Sequence, residues 1–369
     1  MNNAEITVNS PVFISSGEQI DFKYLYRKGS TYRVIDFDKT ADLILSSNKA
    51  EFYTDLIIKK IKNGQRTWQD LWSELEREGL LFYYGNEIEV IGHDLGKQTT
   101  NIRMYTGSIR QKGNRTDLVP YIPGSTIKGS IRNAIFYRHI KEHSSTGMRG
   151  NDYESQFRDF FSLKMEGGDV LPLMKYITVS DFLPADSNIR MAAGRIERRK
   201  LESDSSMGIF QPAIFIKSGK FVGSIGINND IFSQPAEKMA KISEKFHAIL
   251  GTDIFGTHSG NADQNKINVK LIDALINLLE SFTRDVDAWY IKNFHSKARI
   301  SEDVNVYLGF GKGINRNSVA VALPASTSRD VFRFRKGRYP PKTMSYVNLS
   351  NSEYLPLGMA KISPISAEG

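Results

Sequence analysis

Apolar and polar residues alternate between residues 5 and 37, and a period of two predicts β-strands. From about residue 39 to residue 80 the spacing changes to that of two amphipathic helices, which are separated by a turn at Asn63-Gly64. Strand-like patterns return in LLFYYGNEIEVIG (80–92), KYITVSDFLP (175–184) and FIKSGKFVGSIGIN (215–228). The N-terminal part of the chain is therefore predicted to be a sheet with a helical insertion.

Three later segments have the apolar spacing of helices. The first is YIPGSTIKGSIRNAIF (121–136), in which Pro123-Gly124 predicts a turn and Ser125 or Thr126 could cap a helix. The others span about residues 235–250 and 268–294. The order of elements predicts an α+β protein with antiparallel sheets, divided into domains at residues 1–215 and 216–369. The basic stretches 96–117 and 189–208 are predicted to be long loops.

The composition is that of a folded protein without thiol chemistry. Hydrophobic residues make up 40% of the 369 residues, enough for real cores, and cysteine is absent. Disulfides, thiolate metal ligands and cysteine nucleophiles are thereby excluded. Neither a secretory signal pattern at the start nor an apolar run of membrane-spanning length is found. We therefore expect a cytoplasmic protein that has no membrane partner.

The chain has a net charge of +8, and its basic residues form three clusters within the folded-looking chain, at residues 97–115, 190–200 and 333–342. A single cluster is typical of a solvated surface, but three clusters favour a polyanion such as nucleic acid. The last cluster alternates with phenylalanines and is equally compatible with an edge strand whose arginines face solvent. The candidate RNA contacts from the second and third clusters are Arg195, Arg198, Arg199, Arg333 and Arg335.

The predicted helix after Pro123 carries two like charges on one side. Lys128 and Arg132 are four residues apart, a spacing that costs roughly 0.2–0.5 kcal/mol in an isolated helix. The free backbone N–H groups around Ser125 to Ile127 and the positive end of the helix favour an anion there. Gly124 and Ser125 therefore join Lys128 and Arg132 as candidate RNA contacts. The lysine comes too early for a phosphate-binding P-loop. A sugar–phosphate backbone along this side, or simply two solvated cations, would explain the pattern.

A second glycine-rich segment, VYLGFGKGINRNSVAV, spans residues 306–321. A Gly-Lys-Gly turn between strands would let backbone amides approach a phosphate closely, although a plain hairpin loop explains the same glycines. The candidate RNA contacts in this loop are Gly309, Gly311, Lys312, Gly313 and Arg316.

Acid–base and metal motifs are weak. Of the six histidines, only His139 and His143 have a ligand-like spacing, and they lack the glutamate of an HExxH motif. No Gly-x-Ser-x-Gly nucleophile motif is found. We expect neither a metal nor another cofactor.

Three segments together resemble the RAMP superfamily of CRISPR-associated proteins: SPVFISSGE near the start, YIPGSTIKGSIRNAIFYR, and YLGFGKGINRNSV near the end. Further similar segments are YRVIDFDK, ITVSDF, YPPKT and YLPLGMAKI. Their order is most like that of the fifth subunit of Csm-type (type III-A) effector complexes.

This resemblance implies two RRM-like (ferredoxin-like) domains and a subunit that binds crRNA without cutting it. The subunit would cap the crRNA 3′ end beside the backbone RAMP subunit, and would support crRNA maturation with host nucleases in antiviral defence. Lys128, Arg132 and the loop from Gly309 to Gly313 match the segments expected near RNA. Two alternatives remain: a metal-independent endoribonuclease that uses His139, and a scaffold that binds only proteins.

Overall fold

The computed structural model describes residues 2–65, 68–92, 95, 101–112, 115–143, 153–166, 168–200, 203, 205–256, 263–294, 303–309, 320–323, 328, 343–350 and 353–365. The described β-strands are Asn2–Val8 (β1), Ser15–Asp21 (β2), Leu25–Lys28 (β3), Thr31–Val34 (β4), Ile88–Val90 (β5), Asn101–Tyr105 (β6), Gly107–Lys112 (β7), Arg115–Pro120 (β8), Ser162–Lys164 (β9), Val170–Pro172 (β10), Ile177–Val179 (β11), Leu183–Pro184 (β12), Arg190–Lys200 (β13), Ser206–Ile227 (β14), Val306–Tyr307 (β15), Thr343–Ser350 (β16), Glu353–Pro356 (β17) and Met359–Pro364 (β18). The described α-helices are Phe37–Leu45 (α1), Ala50–Lys62 (α2), Gln69–Arg77 (α3), Gly124–Glu142 (α4), Tyr153–Phe160 (α5), Ala236–Leu250 (α6) and Gln264–Phe294 (α7).

The long strand β14 is the spine of the main sheet. Its first half pairs antiparallel with β13, and its second half pairs antiparallel with β1. The path through the sheet runs β15-β18-β1-β14-β13-β5-β4-β3. Residue 215, the predicted domain boundary, lies inside β14. The division into two domains and their RRM-like character stay predictions.

The principal core lies between this sheet and the helices α4, α6 and α7. In β1 the alternate residues Ala4, Ile6 and Val8 point into it, as the period of two predicts. The apolar stripes of the three helices cover these strands and join them in one continuous cluster. The predicted helices at 124, 235 and 268 are confirmed in a mixed α+β fold. Within the described part of the chain, no helix is long and apolar enough to cross a membrane.

The helical insertion has a small core of its own. Trp68 and Trp72 are almost fully buried there, with ring centroids 5.5 Å apart. The insertion consists of α1, α2 and α3 rather than two helices, because the chain also turns between α1 and α2. It packs beside β3 and β4, at the opposite end of the sheet path from β15 and β18.

Both predicted basic loops prove to be largely strands. In the described part of residues 96–117, β6 pairs with β2, and β7 forms a hairpin with β8. Residues 190–200 form β13, which lies between β14 on one side and β5 and β16 on the other. Met191, Ala192, Ala193 and Gly194 are all buried because the strand is covered on both faces. The density of basic residues in these stretches concealed the short apolar runs.

Candidate nucleic-acid interface

The first half of α4 is where several distant segments meet. Ser130, buried in this helix, donates a hydrogen bond from its Oγ to the Tyr307 carbonyl oxygen at 2.9 Å. Gly124 begins the helix against the end of β11, where an added Cβ would lie only 2.3 Å from the Val179 carbonyl oxygen and 2.6 Å from that of Ser180. Glycine at this position thus permits a close approach of helix and strand.

The start of the glycine-rich loop is held against the N-terminal segment. Gly309 has a φ of 73°, and a Cβ there would lie 2.3 Å from the Phe13 carbonyl oxygen. The Leu308 N–H donates to the Gly358 carbonyl oxygen, and the Gly358 N–H donates to that of Pro11, each at 2.8 Å. The structure therefore brings Gly309 close to α4 through Tyr307. The remaining predicted contacts of this loop, Gly311, Lys312, Gly313 and Arg316, lie outside the described residues, as do Arg333 and Arg335.

The beginning of α4 does not have the cap that the sequence predicted. Pro123 occupies the N-cap position, and no side chain of Ser125 or Thr126 caps the helix. Instead the Gly124 N–H donates to Oδ1 of Asp181 at 2.8 Å. A carboxylate at the positive end of the helix already complements the dipole and repels a second anion. The anion site at this helix terminus stays a prediction, and an anion there would have to lie beside Asp181.

The side of α4 that carries Lys128 and Arg132 remains open to a ligand. Arg132 is exposed and stacks its guanidinium 4.7 Å from the centre of the Phe157 ring. This cation–π contact contributes about 0.5–1 kcal/mol at an exposed site, enough to offset the like-charge repulsion without RNA. Lys128 is half-buried, and burial lowers the pKa of its ammonium group. No carboxylate forms an ion pair with Lys128 among the residues that the structure describes.

The arginines of β13 do not form one surface. Arg195 lies over the Phe210 ring at 5.0 Å, and Arg199 lies over the Tyr354 ring at 3.6 Å. Arg199 also forms an ion pair with Glu197 at 3.5 Å, and both side chains are largely buried. Arg198 points to the other face of the strand and is exposed. Arg198 thus lies on the opposite face of the strand from Arg195 and Arg199, and it is the most accessible of the three predicted RNA contacts.

His139 lies among aromatic rings on α4. Its ring stacks on Phe160 with the centroids 4.2 Å apart, and His143 is 4.5 Å away. The pKa of His139 lies below its ordinary value because burial disfavours the charged ring; the nearby His143 and Lys245 act in the same direction. These contacts provide no carboxylate to orient the imidazole as a general base. No group of three potential metal ligands occurs among the described residues.

A family model for the RAMP superfamily matches residues 5–333, which is most of the chain. The chain belongs to the RAMP superfamily. A curated relative, the CRISPR system Cms protein Csm5 of Methanocaldococcus jannaschii, is 23% identical over 364 residues, covering 89% of this chain and 74% of its own. The predicted family is thus confirmed.

Two solved structures share the fold. One is a chain of a Csm–crRNA–target RNA ternary complex in a type III-A CRISPR-Cas system, determined by cryo-EM; it has a TM-score of 0.64 at 17% identity and covers 98% of this chain and 100% of its own. The other is the crystal structure of T. onnurineus Csm5, with a TM-score of 0.54 at 16% identity and coverage of 97% and 99%. At these identities the likeness concerns the fold.

Sequence reasoning missed two contributors to this RAMP interface. Asp181 lies 57 positions after its partner Gly124 in the sequence, so no local pattern links the two residues. Helix α5 was not predicted, although Phe157, Phe160 and Phe161 have the three- and four-residue spacing of an apolar helix face. That spacing was a usable signal.

Proposed function

We propose that this RAMP protein is a non-catalytic, crRNA-binding subunit of a type III-A Csm effector complex that caps the crRNA 3′ end. The observation that carries the proposal is the meeting of the segments at residues 13, 124–132 and 307–309 around Lys128, which forms no ion pair within the described part of the chain. The likeness to the Methanocaldococcus relative and to a chain of a crRNA-containing complex supports it. The neighbouring backbone RAMP subunit and other Csm subunits are the proposed protein partners, and host nucleases would act on the crRNA.

Phosphate contacts supply most of the affinity in this proposal. A guide-binding subunit must accept any spacer sequence, so contacts with the sugar–phosphate backbone are better suited than base readout. Lys128 and Arg132 are one helical turn apart and present two positive charges on one side of α4. The proposed site also includes Gly124, Ser125, Gly309 and the loop that follows Gly309, together with Arg198 on β13.

The test is a salt titration of RNA binding with the double variant Lys128→Ala/Arg132→Ala. Each lost phosphate contact reduces the slope of log K against log salt by about 0.7 for a single strand, so the expected change is about 1.4. The matched control is Lys59→Ala/Lys62→Ala, which removes two exposed lysines from α2 in the insertion. An unchanged slope in the α4 variant, or an equal change in the control, would contradict the proposal.

A denaturing gel tests the non-catalytic part separately. End-labelled repeat–spacer RNA is incubated with the protein, with and without EDTA, after binding is confirmed on a native gel. We expect bound but uncut RNA. A discrete, EDTA-resistant cut that disappears in His139→Ala would establish the endoribonuclease alternative instead.

A further inference from the structure

One side of α4 carries a stripe of basic and aromatic residues along nearly its whole length. Lys128, Arg132, Phe136, His139 and His143 follow one another at steps of three or four residues, which places them on one side of the helix. At a rise of 1.5 Å per residue the stripe is about 22 Å long. The helix has no acidic residue before Glu142. The side of α4 that begins with the charges of Lys128 and Arg132 thus continues with aromatic and imidazole rings, and it meets no acid of this helix before Glu142.

Helix α5 continues this stripe with further rings. Phe136 is the buried anchor: the Phe157 ring meets it edge-on with the centroids 4.8 Å apart, and Phe160 lies 5.5 Å away. His139 is nearly parallel to Phe160, at an interplanar angle of 25°. Phe157, Phe160 and His139 are half-buried, so part of each ring borders solvent. The rings thus form a partly exposed ladder between α4 and α5.

Cations bracket the ladder at both ends. The Arg132 guanidinium lies over Phe157, and the Nζ of Lys245, from α6, lies 5.5 Å from the centre of the Phe160 ring. Neither cation has an ion pair with a carboxylate in the described part of the chain. Glu142, the acid nearest to His139 on α4, is engaged by Arg138 at 2.6 Å.

We propose that this ladder, formed by Arg132, Phe157, Phe160, His139 and Lys245, binds single-stranded RNA by combining base stacking with phosphate contacts. Aromatic faces interleaved with cations are the arrangement by which proteins hold single strands without reading their sequence, because every base has a π-face. The inference rests on the proposed function and extends its RNA path from the start of α4 to the end of that helix.

The test compares the wild-type protein with Phe157→Leu/Phe160→Leu, which keeps apolar volume but removes both rings. Fluorescent oligouridylates of about 6 and about 20 nucleotides serve as probes, since single-strand sites span several nucleotides. We expect the variant to bind the longer RNA about tenfold more weakly, with a smaller loss for the shorter one. Phe160→Tyr should retain the wild-type affinity because it keeps a ring. Phe52→Leu on the exposed side of α2 is the matched control.

Cross-linking supplies a readout that a merely structural role would not produce. RNA containing 4-thiouridine should cross-link to the peptide that contains α5 in the wild-type protein, and this adduct should decline in the double variant. Thermal unfolding within a few degrees of wild type would show that the variant is folded; if it is not, the cross-linking of the wild-type protein alone decides.

Two outcomes would overturn the inference. One is an RNA affinity unchanged by Phe157→Leu/Phe160→Leu while Lys128→Ala/Arg132→Ala weakens binding, which leaves the proposed function intact. The other is a loss of co-purifying Csm subunits at unchanged RNA affinity, which would assign the ladder to a protein contact. Failure of the wild-type chain to bind any RNA would instead refute the proposed function itself.

Discussion

The contact between the start of α4 and the end of β11 makes a sharp prediction about two glycines of the same helix. Gly124→Ala places a methyl group 2.3 Å from one backbone oxygen and 2.6 Å from another. Backbone atoms cannot rotate away as a side chain can, so the helix or the strand must shift. Gly129→Ala, one turn and a half further along, meets no atom within 4 Å. The same chemical change should therefore have opposite effects at the two positions.

The magnitudes follow from three terms. Overpacking costs about 1–3 kcal/mol. A shift of the helix start also weakens the hydrogen bond from the Gly124 N–H to Asp181, and bonds to charged groups contribute about 1.5–3 kcal/mol. The gain from replacing glycine by alanine in a helix is at most about 1 kcal/mol. Gly124→Ala should thus lower the free energy of unfolding by about 2–4 kcal/mol, and Gly129→Ala should raise it by up to about 1 kcal/mol.

Thermal unfolding of both variants measures this difference. For a chain of this length the expected shifts are a Tm lower by about 3–5 °C for Gly124→Ala and slightly higher for Gly129→Ala. RNA affinity should also fall in Gly124→Ala because Lys128 moves with the first turns of the helix. If Gly124→Ala unfolds at the wild-type temperature, then the close approach between helix and strand does not hold and the reasoning fails.

Three further predictions concern residues around the same helix. Ser130→Ala leaves the Tyr307 carbonyl oxygen without its donor and should destabilise the protein by about 1 kcal/mol, measured by urea unfolding against Gly129→Ala. Asp181→Ala removes the carboxylate at the helix start and should cost about 1.5–3 kcal/mol in the same assay; no loss would mean that water replaces the cap. For His139, whose pKa is lowered in the free protein, an adjacent phosphate favours the protonated ring, so RNA affinity should rise as the pH falls through the range in which the ring takes up its proton. His139→Phe should keep the affinity at pH 8 and weaken this pH dependence, as measured by fluorescence anisotropy; equal pH profiles would contradict the contact.

Local patterns predicted those parts of the fold that are determined locally. The helix α4 was recognised from a turn pair followed by apolar residues at helical spacing, and the alternation in β1 identified a strand with one buried face. β13 was missed for a physical reason: it is buried on both faces over Met191 to Gly194, and the small residues there do not alternate with polar ones. β13 is a strand because it pairs with β5, β14 and β16, and a short stretch of sequence does not contain these distant partners.

The candidate site was only partly predictable for the same reason. The sequence identified Lys128 and Arg132, but the acid that caps their helix comes from another segment, and the ring beneath Arg132 comes from α5. Both partners change the chemistry of the prediction. Asp181 accepts the hydrogen bond from the Gly124 N–H at the start of the helix, whereas Phe157 adds an aromatic ring beside Arg132.

Basic residues that cluster along the sequence need not cluster in space. In β13 successive side chains point to opposite faces, so that Arg198 is exposed while Arg199 packs between Glu197 and Tyr354. On α4, by contrast, steps of three and four residues place Lys128 and Arg132 on the same side of the helix as His139. For an anion such as RNA, the helix therefore offers two cations one turn apart with aromatic rings beyond them, whereas on the strand Arg198 lies on the opposite face from Arg195 and Arg199. This difference in periodicity is why α4, and not the more densely basic β13, is the stronger candidate for the RNA path.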